Sequence, residues 1–191
     1  MTITSTTKLY GVVGDPVAHS LSPLIHNRWI REAGIDAAYV ALHLQSPDAT
    51  ADLRALARAG FAGLNITLPH KVAALKSAAS ASLEAKLVGA ANTLSRQSSA
   101  DWAAYNTDIE GFSLALAHAL PGDPRGRRVV LIGAGGAARA AAYALGQLGA
   151  ELAIVNRTRA NAEALANELA PQAETAELTK LNTLAERADI V

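Results

Sequence analysis

The stretch Arg128-Val-Val-Leu-Ile-Gly-Ala-Gly-Gly-Ala-Ala-Arg139 decides the fold of this chain. It places Gly133, Gly135 and Ala138 in a G-x-G-x-x-A spacing, directly after an apolar run and before an alanine-rich segment of helical period. Gly133 permits a tight turn, Gly135 lets a pyrophosphate approach the backbone, and Ala138 allows close packing of helix on strand. The pattern predicts a dinucleotide-binding strand–turn–helix, with the phosphates at the helix N-terminus. A glycine-rich turn without a ligand is the alternative interpretation.

The segment after the next predicted strand selects the dinucleotide. Enzymes that use NAD usually carry an acidic residue about 20 positions after the glycines, where it binds the ribose 2′-hydroxyl. Here that place holds Asn156-Arg157-Thr158-Arg159, whose guanidinium groups and hydroxyl suit a 2′-phosphate. Surface arginines at a helix start are the alternative, more so for Arg159. The sequence therefore predicts NADP, with cofactor-binding residues Gly133, Ala134, Gly135, Gly136, Ala137, Asn156, Arg157 and Thr158.

Short apolar runs alternate with longer alanine- and leucine-rich segments along the chain, which predicts an α/β fold. The predicted strands are residues 9–13, 38–44, 61–67, 128–132 and 152–155, an antiparallel pair at 91–95 and 101–105, and the start of another strand at 188–191. The predicted helices are one capped by Ser22 with Pro23 in first position, one opened by Pro69, and residues 48–59, 107–120, 136–148 and 159–169. The proline-rich residues 121–124 are a candidate boundary.

Composition excludes several classes of function. Lys plus Arg and Asp plus Glu number 17 each, so no net field favours nucleic acid or an anionic membrane. The absence of cysteine excludes disulfides, cysteine-bound zinc and thiol catalysis. The five histidines lack metal-ligand spacing, so we expect no metal. The polar first residues and the lack of a long apolar run predict a soluble, cytoplasmic protein.

Four further motifs precede the glycine turn. They are His19-Ser-Leu-Ser-Pro23, Asn65-Ile-Thr-Leu-Pro-His-Lys71, Ala91-Asn-Thr93 and Asn106-Thr-Asp-Ile-Glu-Gly111. In this order, and followed by Gly133–Ala137 and Asn156–Thr158, they resemble the shikimate dehydrogenase family. The resemblance runs from Tyr10 to Val191, almost the whole chain.

The resemblance implies an NADP-dependent, reversible reduction of 3-dehydroshikimate to shikimate, on the route to chorismate and the aromatic amino acids. It implies a three-layer α/β substrate domain at residues 1–107, then an incomplete, Rossmann-like, doubly wound NADP-binding domain at 108–191. Lys71 and Asp108 would be the catalytic pair. The implied substrate-binding residues are Ser20, Ser22, Thr67, Lys71, Asn92 and Asp108. A monomer or homodimer that acts on a small molecule is expected.

Residue chemistry supports part of this assignment and leaves alternatives open. Hydride delivery to a ketone leaves an alkoxide that must be protonated, which suits Lys71 as the proton donor and Asp108 as its orienting partner. Each could instead be an ordinary residue at a helix start. Ser22 is fully explicable as a cap, and Asn65 as a strand-end residue. Asn92 in a strand points toward function, because asparagine is depleted there.

Proteins of this family continue well past the position of Val191. We therefore expect the 191 residues alone to be C-terminally truncated, poorly folded and weakly active. Two alternatives remain: a quinate/shikimate-type paralogue and a non-catalytic NADP-binding module. Both Lys71 and Asp108 are present, which argues against the second.

Overall fold

The computed structural model describes residues 3–98, 100–120 and 122–191. The chain forms two compact units, one that ends at Asn106 and one from Thr107 to Val191. Each unit combines a β-sheet with helices, so the predicted α/β class is confirmed. The division precedes the helix Asp108–Ala119, which therefore groups with the second unit. The proline-rich stretch lies inside that unit, and its Pro121 lies outside the described residues.

The first unit is built on one mixed sheet. Its elements are β1 (Lys8–Gly14), α1 (Ser22–Glu32), β2 (Ala37–His43), α2 (Ala49–Arg58), β3 (Phe61–Ile66), α3 (Lys71–Ser77), β4 (Ser80–Ala81), α4 (Leu83–Val88), β5 (Thr93–Arg96) and β6 (Trp102–Tyr105). The strand order is β2-β1-β3-β5-β6-β4. β1 pairs in parallel with β2 and β3, while β5 is antiparallel to β3 and β6. The carboxyl ends of β1, β2 and β3 therefore share one edge of the sheet.

The core of the first unit lies mainly on the face that α2, α3 and α4 cover. Trp102 is fully buried there, and its indole N–H donates to the Leu53 carbonyl at 2.7 Å. The opposite face carries α1, which has no buried residue, above the smaller cluster of Val12, Val17 and Tyr39. The sheet thus lies between two helical layers of unequal extent.

The second unit is a parallel sheet with helices on both faces. Its elements are α5 (Asp108–Ala119), β7 (Arg128–Ile132), α6 (Gly136–Gln147), β8 (Glu151–Asn156), α7 (Arg159–Leu169), β9 (Glu174–Glu177), a 3₁₀ turn (Leu178–Lys180) and α8 (Leu181–Ala185). The strand order is β7-β8-β9, and Ile190 forms a single parallel bridge to Val129 on the other edge of β7. The chain therefore adds strands first on one side of β7 and then on the other. Parallel sheets of this kind bind ligands at such a point of reversal.

Three sequence predictions about local structure were wrong. The N-cap of α1 is Leu21, which makes no side-chain cap, and Ser22 is already helical; Ser20 Oγ instead accepts from the Ser22 amide at 3.2 Å. Pro69 lies in a turn, and α3 begins at Lys71 after the N-cap His70. Asn92 precedes β5 and is not in a strand, so the depletion of asparagine in strands does not favour a functional role for it.

The remaining differences concern short elements. The predicted strand at 188–191 is only the bridge at Ile190. The sequence did not predict β4, α4, β9 or α8, the longest of which has six residues. No helix in the described part of the chain is long and apolar enough to cross a membrane.

Candidate active site and cofactor turn

The glycine turn follows β7 in the second unit. Gly133 has φ of +109°, a left-handed conformation that side chains other than glycine rarely adopt, and its amide donates to the Val155 carbonyl at 2.7 Å. Gly135 is the N-cap of α6 in an ordinary extended conformation. Among the residues that the structure describes, a Cβ added to either glycine would meet no atom within 4 Å beyond its chain neighbours. The turn therefore has open space above it, into which a ligand can approach the backbone.

The first turn of α6 is suited to an anion. Gly136 and Ala137 are its first residues, and Ala134 precedes the cap. Its N-cap Gly135 provides no side-chain cap, and no acid lies in its first turn. Because the first amides of a helix have no partner within the helix, they can donate to phosphate oxygens and the helix dipole favours the negative charge.

The loop after β8 holds the residues predicted to select NADP. Asn156 Nδ2 donates to the Thr158 carbonyl at 2.8 Å, and Thr158 is the N-cap of α7. The Arg159 guanidinium lies 2.8 Å from Glu163 Oε1. Arg157 is exposed, and within the described part of the chain it makes no ion pair. Arg157 is therefore better placed than Arg159 to bind a phosphate.

Backbone hydrogen bonds in the first unit bring three predicted substrate residues together. Thr67 follows β3, Lys71 begins α3 and Asn92 precedes β5. The Ile66 amide donates to the Asn92 carbonyl at 2.7 Å, and the Ala91 amide donates to the Lys71 carbonyl at 2.8 Å. All three side chains are partly exposed.

Ser20 and Ser22 lie at the entry of α1, which Asn27 fixes to β2. Asn27 Nδ2 donates to the carbonyls of Pro23 at 2.8 Å and Tyr39 at 2.7 Å, and Asn27 Oδ1 accepts from the Tyr39 amide at 2.9 Å. This support for the two serines was not predicted.

A histidine–carboxylate contact at the same edge of the sheet was also missed. His43 Nε2 lies 2.6 Å from Asp15 Oδ1, at the ends of β2 and β1. His70, which is buried, donates from Nε2 to the Leu44 carbonyl at 2.8 Å. The contact follows from the register that pairs Gly14 with His43, for which the sequence carries no signal.

The side chains of Asn65 and Asn92 both accept a hydrogen bond from a hydroxyl. Tyr39 Oη donates to Asn65 Oδ1 at 2.7 Å, and burial raises the pKa of Tyr39 to about 12. Thr93 Oγ1 donates to Asn92 Oδ1 at 3.0 Å. The oxygen of Asn92 is therefore already bonded within the first unit.

Asp108 belongs to the second unit. It is the first residue of α5, is half-buried, and follows the N-cap Thr107. The described residues contain no group of three histidine, aspartate or glutamate side chains that could hold a metal ion.

Comparisons with known proteins agree across both units. The family model described as shikimate dehydrogenase substrate binding domain matches residues 12–94, and the model described as shikimate / quinate 5-dehydrogenase matches residues 115–191. The shikimate dehydrogenase (NADP(+)) of Anaeromyxobacter dehalogenans is 44% identical over 194 residues, which cover 99% of this chain and 69% of that protein. The chain belongs to the shikimate dehydrogenase family.

Other shikimate dehydrogenases extend this similarity. The NADP(+) enzyme of Hyphomonas neptunium is 49% identical over 174 residues, 90% of this chain and 63% of that protein. The crystal structure of the Aquifex aeolicus shikimate dehydrogenase matches with a TM-score of 0.85 at 33% identity, covering 99% of this chain and 69% of that one. The Thermus thermophilus enzyme in complex with NADP(H) and shikimate matches with a TM-score of 0.72 at 40% identity, covering 87% of this chain and 62% of that one. The chain spans about three fifths of the length of the curated relatives it matches.

Proposed function

We propose that the protein is an NADP-dependent dehydrogenase that interconverts 3-dehydroshikimate and shikimate, on the route to chorismate. The observation that carries this proposal is the hydrogen-bonded junction of the segments that hold Thr67, Lys71 and Asn92, in a chain of this family. Residues 1–107 would bind the substrate and residues 108–191 the cofactor. The protein would work in the cytoplasm on small molecules, without nucleic acid or membrane, as a monomer or homodimer.

The glycine turn fits a dinucleotide. The space above Gly133 and Gly135 is open, and the uncapped amides of α6 would bind the pyrophosphate. Arg157 and Thr158 would hold the 2′-phosphate of NADP. Asn156 would hold the loop in shape, since its amide nitrogen already donates to the Thr158 carbonyl. NADPH supplies the hydride of the reduction.

Lys71 and Asp108 are the proposed catalytic pair. In the reduction, the Lys71 ammonium donates a proton to the carbonyl oxygen of the substrate as that carbon accepts the hydride. In the reverse direction the neutral amine takes the hydroxyl proton. Asp108 would accept a hydrogen bond from a ring hydroxyl of the substrate.

Three hydroxyls and one amide complete the proposed substrate site. Ser20 Oγ accepts from the Ser22 amide, so its own proton is free to donate to the substrate carboxylate. Ser22 would be a second donor to that carboxylate. The Thr67 hydroxyl and the Asn92 amide would bind ring hydroxyls.

The test is turnover of shikimate by the complete protein with NADP, followed by absorbance of the reduced cofactor. We expect Lys71→Ala and Asp108→Asn to lower kcat at least about a hundredfold, the usual size of a proton-transfer contribution. Lys76→Ala and Glu110→Gln are matched controls, because both are exposed residues on the same two helices. Near-normal rates in both variants would refute the catalytic pair. Cofactor binding without turnover in the wild type would indicate a non-catalytic NADP-binding module.

Quinate is the second candidate substrate, because the family model for residues 115–191 is described as shikimate / quinate 5-dehydrogenase. An NAD-dependent quinate enzyme would be expected to carry an acid at the ribose, and Asn156 occupies that place. The same assay with quinate and NAD separates the two. A higher kcat/KM for that pair would replace the shikimate assignment.

A further inference from the structure

Gly14, the last residue of β1, lies against Thr67 so closely that no side chain fits between them. A Cβ added at Gly14 would lie 2.4 Å from Thr67 Cγ2, 3.2 Å from the Leu68 carbonyl oxygen and 3.6 Å from Val17 Cβ. The first distance is well below any real carbon–carbon contact. Gly14 is not among the glycines with positive φ, so this position needs a glycine for space and not for backbone conformation.

The backbone of Thr67 is held on both sides. Its amide donates to the Val13 carbonyl at 2.9 Å, and its carbonyl accepts from the His70 amide at 3.0 Å. Threonine is branched at Cβ and has few χ1 rotamers, so the place of its methyl group also fixes the place of its hydroxyl. The methyl group points at Gly14, and Thr67 Oγ1 makes no hydrogen bond within the residues that the structure describes.

We propose that Gly14 is a positioning residue for substrate binding. The space left by its missing side chain receives the Thr67 methyl group and thereby turns the Thr67 hydroxyl toward the substrate ring. A side chain at position 14 would expel the methyl group and rotate the hydroxyl away. This inference rests on the proposed function, in which Thr67 binds a ring hydroxyl.

A double-mutant cycle in the complete protein tests the proposal. Gly14→Ala should raise the KM for shikimate about tenfold, the value of one hydrogen bond, and leave the KM for NADP unchanged. Thr67→Ser keeps the hydroxyl and removes the methyl group that would collide, so it should change the KM by less than about threefold. The KM of the double variant Gly14→Ala/Thr67→Ser should then be close to that of Thr67→Ser. A small increase should remain, because the added Cβ still lies 3.2 Å from the Leu68 carbonyl oxygen.

The matched control is Gly146→Ala in α6, where the nearest atom that an added Cβ would meet among the described residues outside that helix turn is the Leu169 carbonyl oxygen, at 3.9 Å. It should leave both KM values unchanged. Additive effects of Gly14→Ala and Thr67→Ser, or a normal KM in Gly14→Ala, would overturn the proposal. If Gly14→Ala fails to fold, recovery of folding in the double variant supports the contact with Thr67, and continued failure opposes it.

A measurement that needs no turnover separates this proposal from the proposed function. Three-bond NMR couplings of Thr67 report its χ1 rotamer in the wild type and in Gly14→Ala. We expect one rotamer in the wild type and a different or averaged one in the variant. An unchanged rotamer would refute the positioning role, whereas a wild type that turns over no shikimate would refute only the function.

Discussion

His43 Nε2 lies 2.6 Å from Asp15 Oδ1, and this contact joins the end of β2 to the turn that follows β1. Two backbone hydrogen bonds reinforce the junction: Leu44 donates to the Gly14 carbonyl at 3.2 Å, and Asp15 donates to the Leu68 carbonyl at 2.9 Å. The three loops at this edge of the sheet are therefore linked to one another. Two of these loops carry residues that are proposed to bind the substrate, so the links between the loops favour a preorganised site.

The His43–Asp15 contact should be visible in a pH titration. The hydrogen bond from His43 lowers the pKa of Asp15 below its ordinary value of 3.8, against an opposing effect of burial. A lowered pKa contributes stability that is present above the unfolded value and lost as the pH falls through the folded value. His43→Ala should therefore move the pKa of Asp15 up toward 3.8. The variant should be less stable than the wild type only at pH values where the Asp15 carboxyl is deprotonated.

The measurement is an NMR titration of the Asp15 carboxyl carbon in both proteins. Gln45→Ala is the control, because the Gln45 amide lies 3.5 Å from the same oxygen and should matter less. An Asp15 midpoint that does not move in His43→Ala would contradict the prediction.

Asn27 should be a major contributor to the stability of the first unit. Asn27→Ala removes two hydrogen bonds between α1 and β2 and one within α1, to the Pro23 carbonyl, and leaves the Tyr39 amide and carbonyl without that partner. We expect a loss of about 1–3 kcal/mol in the free energy of unfolding. Arg28→Ala, which breaks only the exposed pair with Glu32, should cost less than about 0.5 kcal/mol.

Urea unfolding followed by tryptophan fluorescence measures this difference. Trp29 and Trp102 are the two tryptophans of the chain and both lie in the first unit, so the signal reports that unit. Equal midpoints for Asn27→Ala and Arg28→Ala would show that the three hydrogen bonds contribute little.

The two glycines of the cofactor turn should respond differently to alanine. Gly133→Ala forces a side chain into φ of +109° and should cost about 1–3 kcal/mol of stability. Gly135→Ala is conformationally ordinary and should cost less than about 1 kcal/mol, yet its Cβ would occupy the space proposed for the pyrophosphate. Thermal melts and calorimetric titration with NADP should therefore show a stable Gly135→Ala protein with weakened binding. Unchanged affinity in that variant would argue against a dinucleotide at this turn.

Arg157 and Arg159 should differ in their effect on cofactor choice. Arg157→Ala should weaken NADP binding about 10- to 100-fold, the value of a charged hydrogen bond, and leave NAD binding unchanged. Arg159→Ala should have a smaller effect, because that guanidinium is already bonded to Glu163. Titrations of both variants with both cofactors decide the matter. An equal loss for NADP and NAD in Arg157→Ala would mean that this residue does not bind the 2′-phosphate.

Strands with a continuous apolar run and helices with apolar residues at helical spacing were predictable from the sequence. The predicted strand 128–132 and helix 159–169 have the bounds of β7 and α7. The two-residue β4 and the strand Glu174–Glu177 lack such a period, because they are too short or too polar to show one. The N-cap of α1 was misassigned because the helix begins at Ser22 after the N-cap Leu21, which makes no side-chain cap.

The site was predictable only as a set of residues. The motifs, through the resemblance, nominated Thr67, Lys71 and Asn92, and their roles stay predictions. The contact of His43 with Asp15 depends on the register of β1 and β2, and the contact of Gly14 with Thr67 depends on where β3 ends. Neither relationship is visible as spacing along one chain segment, because each forms across neighbouring strands.

The bridge between Ile190 and Val129 has a consequence for the order of events in folding. It closes a far longer loop than the adjacent β7–β8 pairing does, and the entropy lost on closure grows with loop length. We expect the β7–β8 pairing to form first and the Ile190 bridge to open first under native conditions. The Val130 amide donates to the Ile190 carbonyl at 2.9 Å, so the rate at which its proton exchanges with solvent should report the opening of this bridge.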